Sequence, residues 1–159
     1  MSVATIVSQS TPSGFSAIAV IRISGDKAID IAVKLSNKKS VLKHKKATLH
    51  PVFIKKRLVD EAIFTAFLSP QSYTGEDVVE ISCHGNHHVC EAIITEIVRL
   101  GARIAEPGEY TKRAFLNGKL NLLQAESVSL LINAKSIEAV KQQTKNLSGG
   151  VTKKIMQIK

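Results

Sequence analysis

Extended and helical patterns of apolar residues divide the chain into a strand-rich first part and a helical second part. Segment 17–24 (AIAVIRIS) is apolar on both faces of an extended chain, which predicts a strand in the interior of a sheet. Segment 77–84 (DVVEISCH) is predicted to be a second strand. Three further strands are predicted at 4–8, 48–56 and 59–68, and the last two are expected to form a hairpin.

Helical periodicity predicts helices in both parts of the chain. The first begins after Gly25 and runs to about Leu35, and the second covers 87–100, where Gly101 supplies the glycine that commonly ends a helix. Three more helices are predicted at 109–116, 120–133 and 136–159.

Strands early and helices late predict an α+β protein. We expect a mixed β-sheet with flanking helices over residues 1–120, followed by the start of a helical bundle over 121–159. Gly149 and Gly150 each lower helix propensity by about 1 kcal/mol relative to Ala, which makes this the place for a break or kink in the last helix. That helix reaches Lys159 without a capping residue, so we expect the bundle to be truncated there.

The composition is that of a soluble globular domain. Apolar residues make up 44% of the chain, and no run approaches the roughly 18 consecutive apolar residues of a membrane span. The N-terminus lacks the basic and small-residue features of a signal peptide. Two cysteines are too few for a disulfide framework, so we expect a reducing, cytoplasmic location. Because no apolar run is long enough to span a bilayer, we expect no membrane association.

Positive charge is concentrated in one segment. Residues 38–57 hold eight Lys or Arg and no acidic residue, whereas the net charge of the whole chain is +9. Such a segment suits the backbone of a nucleic acid, and with no Trp and 4% aromatic residues, base stacking is scarce. The alternative is a solvated, lysine-rich loop that keeps an edge strand from pairing with another chain.

Two charged residues lie inside predicted strands. Arg22 is in the 17–24 strand and Glu80 is in the 77–84 strand. Burying either charge alone costs roughly several kcal/mol, so each side chain must contact a counter-charge, hydrogen-bonding groups or a ligand. The sequence leaves open whether the two pair with each other or bind a ligand.

Lys119 follows a glycine that is expected to end the 109–116 helix. Pro107 and Gly108 suit a turn, and Gly118 suits the helix end, without any functional role. Lys119 either points toward a ligand or neutralises the C-terminal end of the helix.

A cluster of cysteine and histidine residues suggests a metal site at first sight. It consists of Cys83, His84, His87, His88 and Cys90. Structural zinc sites usually show paired spacings that this cluster lacks, and neighbouring residues of a strand face opposite sides. We therefore favour a strand-to-helix turn in which Gly85 permits close backbone approach and the helix amides are open to an anion.

Several familiar catalytic motifs are absent from the sequence. It contains no G-x-x-x-x-G-K-[ST] loop, which would bind a nucleoside triphosphate. It also contains no G-x-S-x-G nucleophile elbow of a hydrolase and no G-x-G-x-x-G motif of a dinucleotide-binding fold. We therefore expect no GTP binding, no hydrolase elbow and no dinucleotide fold in this chain, and we assign no catalytic or metal-ligating residue.

Seven segments together resemble the MnmE (TrmE) family of tRNA-modifying GTPases, in both order and spacing, over most of residues 4–134. The segments are 5–7 (TIV), 11–14 (TPSG), 21–25 (IRISG), 72–80 (SYTGEDVVE), 84–85 (HG), 107–120 (PGEYTKRAFLNGKL) and 124–126 (QAE).

The resemblance implies a folate-binding N-terminal domain, similar to that of aminomethyltransferases, that forms a homodimer. It implies a one-carbon folate, either 5-formyl-tetrahydrofolate or 5,10-methylene-tetrahydrofolate. Family members also carry a helical domain with an inserted G domain that uses GTP, Mg²⁺ and K⁺. With the flavoprotein MnmG, in a heterotetramer, they install an aminomethyl or carboxymethylaminomethyl group at C5 of the wobble uridine of certain tRNAs.

The family's folate contacts fall on Arg22, Glu80 and Lys119 of this sequence. A carboxylate can accept the paired N–H groups of a pterin edge, so Glu80 is assigned to the pterin. Arg22 and Lys119 either hold Glu80 or bind the pterin oxygen or the glutamate tail.

This chain departs from the family pattern at three places. Its glycine-rich loop is reduced to 14–17 (GFSA), Cys83 and Asn86 replace common glycines, and the G domain and a C-terminal Cys motif are missing. We expect binding without catalysis. Two alternatives are a stand-alone folate enzyme of the aminomethyltransferase type and a basic nucleic-acid-binding module.

Overall fold

The computed structural model describes residues 4–37 and 42–149, which form a six-stranded mixed sheet and five helices. This confirms the predicted α+β class. The elements are β1 (Ile6–Gln9), β2 (Ser16–Ser24), α1 (Ala28–Ser36), β3 (Ala47–Ile54), β4 (Arg57–Phe67), β5 (Val78–Gly85), α2 (His87–Arg99), β6 (Arg103–Ile104), α3 (Glu109–Leu116), α4 (Leu122–Ile132) and α5 (Ile137–Leu147).

The sheet has the strand order β3-β4-β5-β2-β1-β6. Neighbouring strands are antiparallel, apart from β1 and β6, which are parallel. β2 and β5 therefore occupy the centre, as predicted for β2, and β3 and β4 form the expected hairpin. The two-residue strand β6 was not predicted.

One face of the sheet packs against α1 and α2. Ala19, Ile21 and Ile23 of β2 are at most 1% exposed and join one core with Ile31 of α1 and Ile93 of α2. The alternate residues of β2 lie on the other face, where Ile18 is 62% exposed. The central position of β2 was predicted correctly, but only one of its faces belongs to this core.

The contacts of the chain divide it into two compact units, one up to Pro107 and one from Gly108 onward. The first contains the sheet with α1 and α2, and the second contains α3, α4 and α5. The domain boundary predicted at residue 120 stays a prediction, since this division concerns compactness alone.

Local capping explains where several helices end. Gly101 and Gly118 have φ of 111° and 70°, the left-handed conformation that glycine adopts readily. After α3, the amide of Gly118 donates to the carbonyl of Phe115 and that of Lys119 to the carbonyl of Ala114, the paired bonds of a Schellman motif. Both helix-ending glycines were predicted.

The last predicted helix is shorter than expected within the described residues. α5 ends at Leu147, and Gly149 has a φ of 78°. The predicted continuation over 150–159 lies outside the described residues. Among the helices that the structure describes, none is both long and apolar enough to cross a membrane.

Candidate ligand-binding site

Arg22 and Glu80 lie directly opposite each other on the two central strands. Their chain neighbours Ile21 and Ile81 are fully buried beneath α1 and α2, so strand alternation places the two charged side chains on the opposite face of the sheet. The sequence therefore brings two of the three predicted site residues together.

The two side chains form an ion pair. Nε and Nη2 of Arg22 donate to the same oxygen, Oε1 of Glu80, at 2.9 Å and 2.7 Å. The side chains are 26% and 29% exposed. Of the alternatives left open by the sequence, mutual pairing is the arrangement observed, and neither charge requires a ligand for compensation.

The second oxygen of Glu80 is still available. Within the described parts of the chain, Oε2 of Glu80 accepts no hydrogen bond. A carboxylate has about four lone-pair sites, and Nε and Nη2 of Arg22 both donate to the same oxygen. Glu80 can therefore bind Arg22 and a ligand N–H donor at the same time.

The residues beside this pair continue a polar row across the sheet. Ser8 of β1 lies opposite Arg22, and Thr65 of β4 lies opposite Glu80. On the same face, Ile18 and Ile63 are 62% and 44% exposed. A polar row beside apolar side chains suits a flat ring with hydrogen-bonding groups along one edge.

Tyr73 adds an aromatic ring to the site. Cζ of Arg22 lies 5.7 Å from the centroid of the Tyr73 ring, within the range of a cation–π contact. Tyr73 is 37% exposed and belongs to the loop between β4 and β5. The loop contributes to the family resemblance, but no sequence pattern identified Tyr73 as part of the site.

A buried hydrogen-bond network holds the Tyr73 loop against the end of β2. Oγ of Ser24 lies 2.8 Å from Oγ1 of Thr74 and donates to Oε2 of Glu76 at 2.7 Å. Since the Ser24 hydroxyl has one hydrogen, Thr74 is the donor in the first bond. Ser24 and Thr74 are fully buried. Their roles were missed, because Ser24 and Thr74 are 50 positions apart and no local pattern joins them.

Lys119 belongs to the second compact unit. It is exposed and follows Gly118 in the Schellman motif at the end of α3. Its position after the helix-ending glycine is as predicted, and its role at the site stays a prediction.

The cysteine and histidine cluster does not converge on one point, because Cys83 and His84 face opposite sides of β5 and the other three residues are on α2 or at its start. Cys83 and Cys90 are buried, with their sulfur atoms 3.9 Å apart, whereas the His84 side chain is 74% exposed. Burial, and then the neighbouring Cys90, raise the pKa of the Cys83 thiol to about 12. No group of three or more His, Cys, Asp or Glu in the described ranges is placed to hold a metal ion.

The turn at Gly85 serves packing within the sheet. A Cβ atom there would clash with the carbonyl oxygen of Ser16, so the close approach is to β2. Oδ1 of Asn86 accepts from the amides of His88 and Val89 at the start of α2. The expected anion position is wrong for these two amides, because Asn86 already satisfies them.

Comparison with known proteins agrees with the resemblance. Residues 5–119 match the family described as GTP-binding protein TrmE N-terminus. A protein of Aliarcobacter butzleri named tRNA modification GTPase MnmE is 44% identical over 156 residues, which cover 98% of this chain and 35% of the relative. Proteins of the same name from Fervidobacterium nodosum and Wolinella succinogenes are 47% and 48% identical, covering 95% and 91% of this chain and 34% and 32% of their own length.

The chain thus spans about a third of the length of these relatives. The family match covers well over half of the chain, and the relatives extend it through the helical unit. The chain belongs to the TrmE N-terminal family.

Proposed function

We propose that this chain is the tetrahydrofolate-binding and dimer-forming N-terminal part of a tRNA-modifying GTPase. The observation that supports this best is the Arg22–Glu80 pair, in which one carboxylate oxygen stays open on a sheet face that is both polar and apolar. The names of the relatives support the role of the whole protein in tRNA modification.

In the proposed complex, Glu80 accepts the N–H groups along one edge of the pterin ring. Oε2 accepts first, because Oε1 already accepts from Nε and Nη2 of Arg22 at 2.9 Å and 2.7 Å. Arg22 acts by fixing the carboxylate, and the ring of Tyr73 contributes a face for the pterin. For Lys119 we keep the roles that the resemblance leaves open, binding of the pterin oxygen or of the glutamate tail.

The remaining steps belong to the whole protein. A G domain outside this chain would hydrolyse GTP with Mg²⁺ and K⁺, and MnmG would supply the flavin chemistry at the wobble uridine. This chain would contribute 5-formyl-tetrahydrofolate or 5,10-methylene-tetrahydrofolate binding and the dimer contact, in the cytoplasm. No residue of this chain is assigned a catalytic role.

Isothermal titration calorimetry with 5-formyl-tetrahydrofolate tests the proposal. We expect binding by the parent chain and a loss of about tenfold or more in Glu80→Gln, because a charge-assisted hydrogen bond contributes about 1.5–3 kcal/mol. Glu138→Gln is the matched control, since Glu138 is exposed on α5. Equal affinity of Glu80→Gln and the parent would exclude the assignment.

A further inference from the structure

A basic cleft lies at one end of the first compact unit, away from the central pair. It is formed by the C-terminal ends of α1 and α2 and by the turn between β3 and β4, and its volume is about 540 Å³. Four cations line it, namely Lys34, Lys55, Lys56 and Arg99, and all four are exposed.

One acidic side chain faces these cations. Glu96 is 7% exposed and accepts from Arg99 at 2.6 Å and 2.9 Å. Hydrogen bonding to Arg99, and the nearby charge of Lys55, lower the pKa of Glu96. Glu96 neutralises one cation and fixes the Arg99 guanidinium at the edge of the cleft, which leaves a surplus of positive charge on the other three.

The turn that carries two of these lysines has an unfavourable backbone for lysine. Lys55 and Lys56 form a two-residue hairpin turn, with φ of 48° and 65°. Positive φ at both positions is the requirement of a type I′ turn, where Asn-Gly is preferred. Two lysines there cost on the order of 1 kcal/mol each, so the local fold does not explain their presence.

The simplest alternative explanation covers only part of the cluster. Lys34 and Arg99 lie in the last turns of α1 and α2, where a cation stabilises the helix end. Lys55 and Lys56 belong to no helix. Protection of an edge strand requires charged residues on the loop. It does not require that these residues form a concave site together with the ends of two helices.

We propose that this basic cleft binds the phosphate backbone of an RNA, and the choice of RNA over other polyanions rests on the proposed role in tRNA modification. The separated cations suit successive phosphates, and Phe53 is the one aromatic side chain among the residues that line the cleft. The contact is therefore independent of base sequence. A concave surface favours a nucleic-acid strand over a flat lipid surface.

The variant Lys55→Asn/Lys56→Gly separates binding from folding. Asn-Gly suits the type I′ turn, so the melting temperature should stay the same or rise. In gel-shift titrations of the full chain with an unmodified tRNA transcript, the affinity should fall roughly tenfold or more at 0.1 M salt, and the salt slope should decrease by about 2. Lys34→Gln should add a smaller loss of the same kind.

The control Lys141→Gln/Lys145→Gln removes two charges from exposed positions of α5. It should bind RNA as the parent does, within about twofold, apart from the small effect of net charge. Equal losses in the two double variants would show that net charge alone attracts the RNA and would overturn the proposal. An absence of RNA binding by the parent at low salt would also overturn it.

Two further measurements identify the partner and keep this proposal separate from the folate site. The first is binding to phosphatidylglycerol vesicles. If the parent binds the vesicles and Lys55→Asn/Lys56→Gly does not, while both proteins bind RNA equally well, the cleft is a lipid site and the proposal is contradicted. Lys55→Asn/Lys56→Gly should retain 5-formyl-tetrahydrofolate binding, and Glu80→Gln should retain RNA binding.

Discussion

Arg22 directs both Nε and Nη2 at Oε1 of Glu80, at 2.9 Å and 2.7 Å, from the opposite position on the neighbouring strand. The pair leaves Oε2 of Glu80 without a hydrogen bond from the described residues. Because both side chains are about one-quarter exposed, the pair is accessible as well as prearranged. Positioning a carboxylate in this way lowers the entropic cost of binding a ligand.

Replacing Ser24 by Ala should loosen the Tyr73 loop. The change removes the bonds of Ser24 to Thr74 and Glu76 in a fully buried position. We expect the free energy of unfolding to fall by about 2 kcal/mol in urea titrations, since one of the lost partners is a carboxylate. The control Ser82→Ala, in the middle of β5, should change it by less than about 0.5 kcal/mol. Similar values for the two variants would mean that the network does not hold the loop.

Replacing Arg113 by Met should destabilise the helical unit strongly. Arg113 and Glu109 are 5% and 7% exposed in their side chains and pair at 2.8 Å within α3. Replacing Arg113 removes its hydrogen bonds to a buried carboxylate, and breaking a buried ion pair costs about 3–5 kcal/mol. The double variant Glu109→Leu/Arg113→Met should recover much of that loss in thermal unfolding followed by circular dichroism. A single variant that loses less than about 1 kcal/mol would contradict this account.

Acid should remove the contribution of Glu96 to stability. Its hydrogen bonds to Arg99 lower the pKa of Glu96 from 4.5, so the folded state binds its proton less readily than the unfolded state. The stabilisation is therefore complete above about pH 4.5 and is lost as the pH falls through the depressed pKa. Melting temperatures of the parent and Glu96→Gln should converge as the pH falls below 4.5. A difference that stays constant over this range would exclude the linkage.

Much of the fold follows from local sequence. The alternation in segment 17–24 places Arg22 on one face of the sheet and Ile21 and Ile23 on the other. Gly101 and Gly118 end their helices with positive φ. These features depend on residues close together in the chain, so patterns reveal them. The fold class, the central place of β2 and the β3–β4 hairpin were predicted for this reason.

Other features depend on contacts between distant segments. β6 has two residues and exists through its parallel pairing with β1, roughly a hundred positions earlier, so no local pattern identifies it. The hydrogen bond between Ser24 and Thr74 holds the Tyr73 loop beside Arg22, and this long-range contact cannot be identified from the order of residues. The β3 strand was predicted to extend to Lys56, but it ends at Ile54 because two lysines occupy a turn that usually takes Asn-Gly.

The most direct test of the folate assignment combines a protein change with a ligand change. Calorimetry on the parent and Glu80→Gln, each with 5-formyl-tetrahydrofolate and its 2-desamino analogue, measures the coupling between the Glu80 carboxylate and the pterin amino group. Direct contact predicts a coupling free energy of about 1.5–3 kcal/mol, the range for a hydrogen bond to a charged group. A coupling of zero, with both ligands bound, would show that Glu80 does not receive the pterin edge.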